Sequence, residues 1–193
     1  MYNPLGDARL RDLLEIEDED NLILLNRENE KIEYKVSFHL NDVRVIKTFA
    51  AFANNAGGYI VFGVKDTTRE LVGLSENHTK KFAELDANFI AQQLHKYFAP
   101  TIYFTPQSHK IRGKNIGIIY VHESKYKPIV VTTVGHGGKL REGDVFFSYE
   151  ASRERIKYAE FSQILEERST RHIQEFMKHI DTIMNIGVDN TAI

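Results

Sequence analysis

Cysteine is missing from all 193 residues. No disulfide framework or thiolate metal site can form, thiol nucleophiles are excluded, and a reducing compartment is the natural setting. Long apolar runs are missing too. The longest, such as Ile116 to Val121, are strand-sized, far short of the ~20 residues a membrane helix needs. The first fourteen residues scatter Asp7, Arg9, Arg11 and Asp12 among their apolar side chains, unlike a secretory signal. A soluble, cytoplasmic protein without a membrane role is expected. Strong charge of either sign is also lacking: the formal net charge is −2. Nothing pulls the whole molecule toward nucleic acid, so any such binding must rest on a local patch. Two motif classes are absent as well. Gly135-His136-Gly137-Gly138-Lys139 has neither the spacing nor the following helix of a phosphate-binding lysine loop, and the eight histidines show no paired metalloprotease spacing.

What is present is the composition of one ordinary globular domain, 42% apolar and 27% charged. Leu10, Leu13 and Leu14 after Asp7 predict a short helix, capped by Asp7 and ending in the acidic run Glu15 to Asp20. Ile32, Tyr34 and Val36 alternate with Glu33, Lys35 and Ser37, the period of a half-buried strand. Asn41 or Asp42 can cap a helix striped by Val43, Ile46, Phe49, Ala50 and Ala53, stopped at Gly57-Gly58. Tyr59 to Val64, apolar throughout, reads as a strand buried on both faces. Asp66 to Arg69 is a turn and Leu71 to Leu74 a short returning strand. Leu85, Phe89, Ile90, Gln93, Leu94 and Tyr97 predict one further helix. Ile102 to Thr105, Asn115 to His122, Pro128 to Thr133 and Val145 to Tyr149 follow as strands. After Ser152 the chain turns helical, with Ile173, Phe176, Ile180 and Ile183 at seam spacing. That stripe either folds back on the domain or meets a partner, a second copy or another protein. The expected fold is α/β (α+β), a mixed, mostly antiparallel sheet flanked by helices with a long C-terminal helix. The expected division is a domain over 1–167 and a helix and tail over 168–193.

The segment Glu28-x-x-x-x-Glu33-Tyr34-Lys35, followed by Ala51-Phe52-Ala53-Asn54-Asn55-Ala56-Gly57-Gly58-Tyr59-Ile60-Val61-Phe62-Gly63-Val64-Lys65-Asp66, resembles the Schlafen AlbA-like domain. The resemblance is best over about residues 20 to 75 and continues more loosely to 167. It implies a Schlafen-core-like fold and a nucleic-acid-handling protein. In several members that means a divalent-metal endonuclease cutting RNA, transfer RNA above all, ahead of DNA. The family's three acids carry over to Glu28, Glu33 and Asp66. Many relatives have an arginine near Phe147 to Ser152; here Ser148 stands in the expected place.

The residues themselves support a site. Glu33 and Lys35, two apart on a strand, project together, Glu28 must reach round from the preceding loop, and Asp66 follows the buried strand at the sheet margin. Hard cations choose carboxylate oxygens, so Glu28, Glu33 and Asp66 are the candidate ligands of Mg²⁺ or Mn²⁺, with Lys35 offsetting developing charge. An unpaired acid cluster of this kind should raise the pKa of at least one member. The alternative reading makes Glu33 and Lys35 a solvated strand face and Asp66-Thr67 a turn initiator. Lys125, Lys127, Lys139, Arg141, Arg153, Arg155 and Lys157, with Tyr126, are the candidate nucleic-acid contacts. Asn54, Gly57 and Gly58 read as structural. Two functions remain open: a metal-dependent endoribonuclease, and a non-catalytic nucleic-acid-binding or regulatory subunit of a larger, defence-type complex.

Overall fold

The structure, a computed structural model, describes residues 3–150 and 152–189, with side chains as far as Ile183. The last four residues of the expected 168–193 segment, and Ala151, lie outside the described residues.

Helix α1 (Asp7–Leu13) is capped by Gly6 rather than Asp7, which forms its first turn. The acidic run that follows is extended: Ile16–Asp18 forms β1 and pairs with β2 (Ile23–Leu24). β3 (Ile32–Lys35) keeps the predicted alternation, burying Ile32 and Tyr34, although Val36 is exposed beyond its end. Asp42 caps α2 (Val43–Asn54) through its side chain. The chain then turns through Gly57, at φ 74°, into β4 (Gly58–Phe62). Glycine is required here, because a Cβ at Gly57 would lie 2.8 Å from the Val121 carbonyl and one at Gly58 would meet the Phe52 ring at 2.8 Å.

The predicted helix over Leu85 to Tyr97 is two helices, α3 (Glu76–Ala83) and α4 (Ala87–His95), with Ser75 and Asp86 as caps. β5 (Phe98–Ala99), β6 (Phe104–Ile111), β7 (Lys114–Val121), β8 (Val130–Val131) and β9 (Phe146–Tyr149) follow. The chain past Ser152 first forms β10 (Ser152–Arg155), hairpin partner of β9, and becomes helical only in α5 (Tyr158–Asp189). The 167/168 division therefore falls inside α5.

The central sheet has the order β3-β4-β7-β6, with β3 parallel to β4 and the other pairings antiparallel. Mixed, mostly antiparallel strands flanked by helices were the expected class. Alternation along β4 explains its uniformly apolar run. Ile60 and Phe62 enter the core under α2 with Phe49, Phe52 and Phe82, while Val61 packs on the opposite face with Tyr34, Ile118 and the leucines of α1. On α5, Ile173, Phe176 and Ile183 are exposed, so at these positions the stripe does not fold back on the domain.

Candidate functional site

β3 lies at one edge of the sheet. Its inward residues anchor it, and the alternate ones, Glu33 and Lys35, turn to a half-buried surface beside the β9–β10 hairpin. Glu33 is held between two cations, the Lys35 ammonium and Arg153 Nη2 at 3.0 Å. Glu28 does reach round from the preceding loop: its Oε1 accepts the Tyr34 backbone N–H at 2.7 Å. Burial raises the Glu28 pKa, opposed by the Tyr34 hydrogen bond; the field of Glu33 raises it further, Lys35 opposes, and Asp66 adds to the rise. Glu28, Glu33 and Asp66 thus share one electrostatic neighbourhood. Asp66 is its exposed member, and its Oδ1 accepts the N–H and hydroxyl of Thr67, the turn-initiating geometry of the alternative reading.

Among the described residues no three His, Asp or Glu side chains are arranged to hold a metal ion. Glu33 faces two cations and one Glu28 oxygen is committed to a backbone amide. In this arrangement the three acids do not present a joint ligand set for Mg²⁺ or Mn²⁺.

The raised Glu28 pKa predicts a pH signature. Above the ordinary value of 4.5, the folded chain keeps a proton that the unfolded chain releases, so stability is lost as pH climbs through that window. Glu28→Gln, whose amide oxygen can still accept from Tyr34, should therefore gain stability relative to the parent between about pH 4 and pH 7. Denaturant midpoints at the two pH values test it; an unchanged difference would refute it.

The basic candidates separate into groups. Lys139, Arg141, Arg153 and Arg155 line one cavity of about 680 Å³ with Lys47, Gly137, Gly138, Phe146 and Glu154. Lys127 is ion-paired with Glu123 and lines a different groove with Tyr126, Arg168 and Arg171; Lys125 is exposed just before it. Lys157 stacks over Tyr149 at 4.5 Å.

Arg153 joins the cavity to the acids. Its side chain is only 7% exposed, and Nη2 also donates to the carbonyls of Asn29 and Ile32, both at 3.0 Å. The guanidinium lies 4.9 Å over the Phe52 ring. Burial lowers its pKa and the fields of Glu33 and Glu28 oppose that. Arg153 is also the direct cross-strand partner of Ser148. A guanidinium therefore stands one strand away from where the resemblance places it, while Ser148 is buried and donates to the Glu30 carbonyl at 2.7 Å.

Sequence reasoning missed two cations. Lys47 lines the cavity with its ammonium 4.8 Å over Phe146. Arg44 pairs with Asp42 and feels the fields of Glu33 and Asp66. Both sit on the polar face of α2, three residues apart, a spacing that could have flagged them.

The chain is 33% identical over 188 residues to an uncharacterized ATP-binding protein of Ureaplasma parvum serovar 3, covering 90% of this chain and 52% of that protein. The chain thus spans about half the length of the curated relative it matches. In structure it resembles the DIP2311 protein of Corynebacterium diphtheriae, with a TM-score of 0.52 at 15% identity over 81% of this chain and 27% of the other. A weaker likeness, TM-score 0.38 at 22% identity, covers 68% of this chain and 87% of the N-terminal domain of a RecG-related protein from Nitrosomonas europaea. The segment that carries the acids, the glycine corner and the β9–β10 hairpin is also the segment matched, residues 28–157, by the Schlafen, AlbA_2 sequence model, and the chain belongs to that family.

Proposed function

We propose that this chain binds nucleic acid through its phosphates, RNA ahead of DNA, in the cavity between α2, the loop around Gly137 and the β9–β10 hairpin. The supporting observation is the convergence of Lys47, Lys139, Arg141, Arg153 and Arg155 on one concavity in a chain whose net charge is −2. Concentrated positive charge releases counterions from a phosphate backbone and makes binding salt-dependent. The test is the affinity for labelled transfer RNA, single-stranded RNA and single-stranded DNA across a salt series. Affinity should fall with salt, and Lys139→Ala should lower the log–log slope by about 1. A slope indifferent to salt would sink the reading.

A second reading, metal-dependent cleavage of the bound RNA, is favoured by one observation: the fields of Glu33 and Asp66 both reach Glu28, and Arg153 ties Glu33 to the cavity wall. In that reading Glu33 and Glu28 exchange their present partners, Arg153 and the Tyr34 amide, for Mg²⁺ or Mn²⁺ held jointly with Asp66, and Lys35 assists. Cleavage with either ion, lost with chelator and in both Glu33→Ala and Asp66→Ala while folding persists, would establish it. Salt-sensitive binding without cleavage leaves the binding module. To the exposed stripe of α5 we assign the contact with a second copy or another protein of a larger complex.

A further inference from the structure

Two of the five cations around the cavity are answered by carboxylates, Arg155 by Asp144 at 2.6 Å and Arg153 by Glu33 at 3.0 Å. Lys47, Lys139 and Arg141 form no ion pair among the described residues. They come from different parts of the chain, α2 and the loop after Gly137, and the β9–β10 hairpin closes the cavity between them. Charges that meet around a concavity suit a compact anion. A stripe along a groove, with exposed aromatic platforms, would suit a run of internal phosphodiesters. Here the single aromatic wall, Phe146, lies under the Lys47 ammonium.

The wall also holds an unmet donor. Arg153 is buried, its Nη2 is committed to Glu33 and two carbonyls, and its Nε has no acceptor. That Nε is sealed from solvent, so an anion on the wall meets the positive field of Arg153 and not this N–H. The Lys47 pKa is drawn down, first by burial; the field of Asp144 opposes this, and those of Arg155 and Lys139 add to the fall.

We propose that the cavity takes a phosphate monoester, the terminal phosphate of a phosphorylated strand, in preference to an internal phosphodiester. A diester offers one negative charge, whereas a monoester near neutral pH carries about −1.5 to −2 charges and three strong acceptor oxygens. That matches the three cations of the cavity that have no ion pair, Lys47, Lys139 and Arg141. The proposal rests on the nucleic-acid reading above and narrows it to strand ends.

The experiment measures binding of one oligoribonucleotide in three forms, carrying a 5′-phosphate, a 3′-phosphate, or hydroxyls at both ends. The protein is the full chain, and the exposed Lys139→Gln variant and the Lys47→Ala/Lys139→Gln double variant are compared with it after circular dichroism confirms folding. One phosphorylated form should bind about tenfold or more tighter than the hydroxyl form, and the variants should lose that preference. Equal, salt-sensitive binding of all three forms would overturn the monoester site and leave the nucleic-acid reading standing. Competition with adenosine monophosphate separates the sources. If the mononucleotide displaces the phosphorylated strand at equal concentration and the hydroxyl form does not bind, the monoester site stands and the nucleic-acid reading falls. Binding of none of these probes would end both.

Discussion

Replacing Asn54 by alanine should destabilise the protein by about 3 kcal/mol or more. The side chain is 1% exposed. Its Nδ2 donates to the carbonyls of Ile129 at 3.0 Å and Phe146 at 2.9 Å, and its Oδ1 accepts the Ile129 N–H at 2.6 Å. One amide therefore satisfies three backbone groups from two segments. Alanine leaves all three buried and unmet, each at about 1–3 kcal/mol, and adds a small void. Against a total stability of roughly 5–15 kcal/mol this is a large fraction. Asn54→Asp should do no better, since it sets an acceptor against two carbonyls. The shift in urea midpoint at constant slope measures the effect. A loss below about 1 kcal/mol would show that water can take the place of the amide.

Arg153→Met should cost about 3 kcal/mol, because a buried ion pair loses one partner and the carbonyls of Asn29 and Ile32 lose a donor. Methionine keeps most of the volume over Phe52, so the loss reports polar terms more than packing. Lys35 remains beside Glu33 and limits the damage. The diagnostic is the double variant Arg153→Met/Glu33→Gln. Removing the stranded charge should recover a sizeable part of the loss, whereas two independent sites would simply add. If the two changes add, Arg153 is a packing residue and its bond to Glu33 carries little energy. The same variants should weaken nucleic-acid binding, since Arg153 also walls the cavity.

How much of this was legible in the sequence depends on where each element finds its partners. α2 and β4 could be read because their apolar residues face their own neighbours at helix and strand periods. α3 was missed because Glu76–Ala83 buries only Phe82, too little for a stripe. β10 was missed because Ser-Arg-Glu-Arg has no apolar residue, and its extended form is imposed by pairing with Phe146 to Tyr149. β1 is similar, an acidic run made extended by pairing with β2. At the site, the approach of Glu28 to Glu33 was visible because five residues of local chain fix it. The grip of Arg153 on Glu33 was not, since no local pattern reports a contact across 120 positions. Asn54 was correctly read as structural, but as a helix stop rather than a cross-link between distant segments.

That distance has a consequence for how the molecule comes into being. The loop carrying Glu28 and Glu33 is fastened by Ser148 to Glu30, across 118 positions, and by Arg153 to Asn29, across 124. During synthesis the loop emerges early and must wait for the hairpin, on the order of ten seconds at ordinary rates of translation. Until then Glu33 has its neighbour Lys35 but not Arg153, and the wall of the cavity does not exist. A nascent chain that stops short of Phe146 carries the acids without their setting, so the electrostatic character of this surface is acquired late, as the β9–β10 hairpin docks.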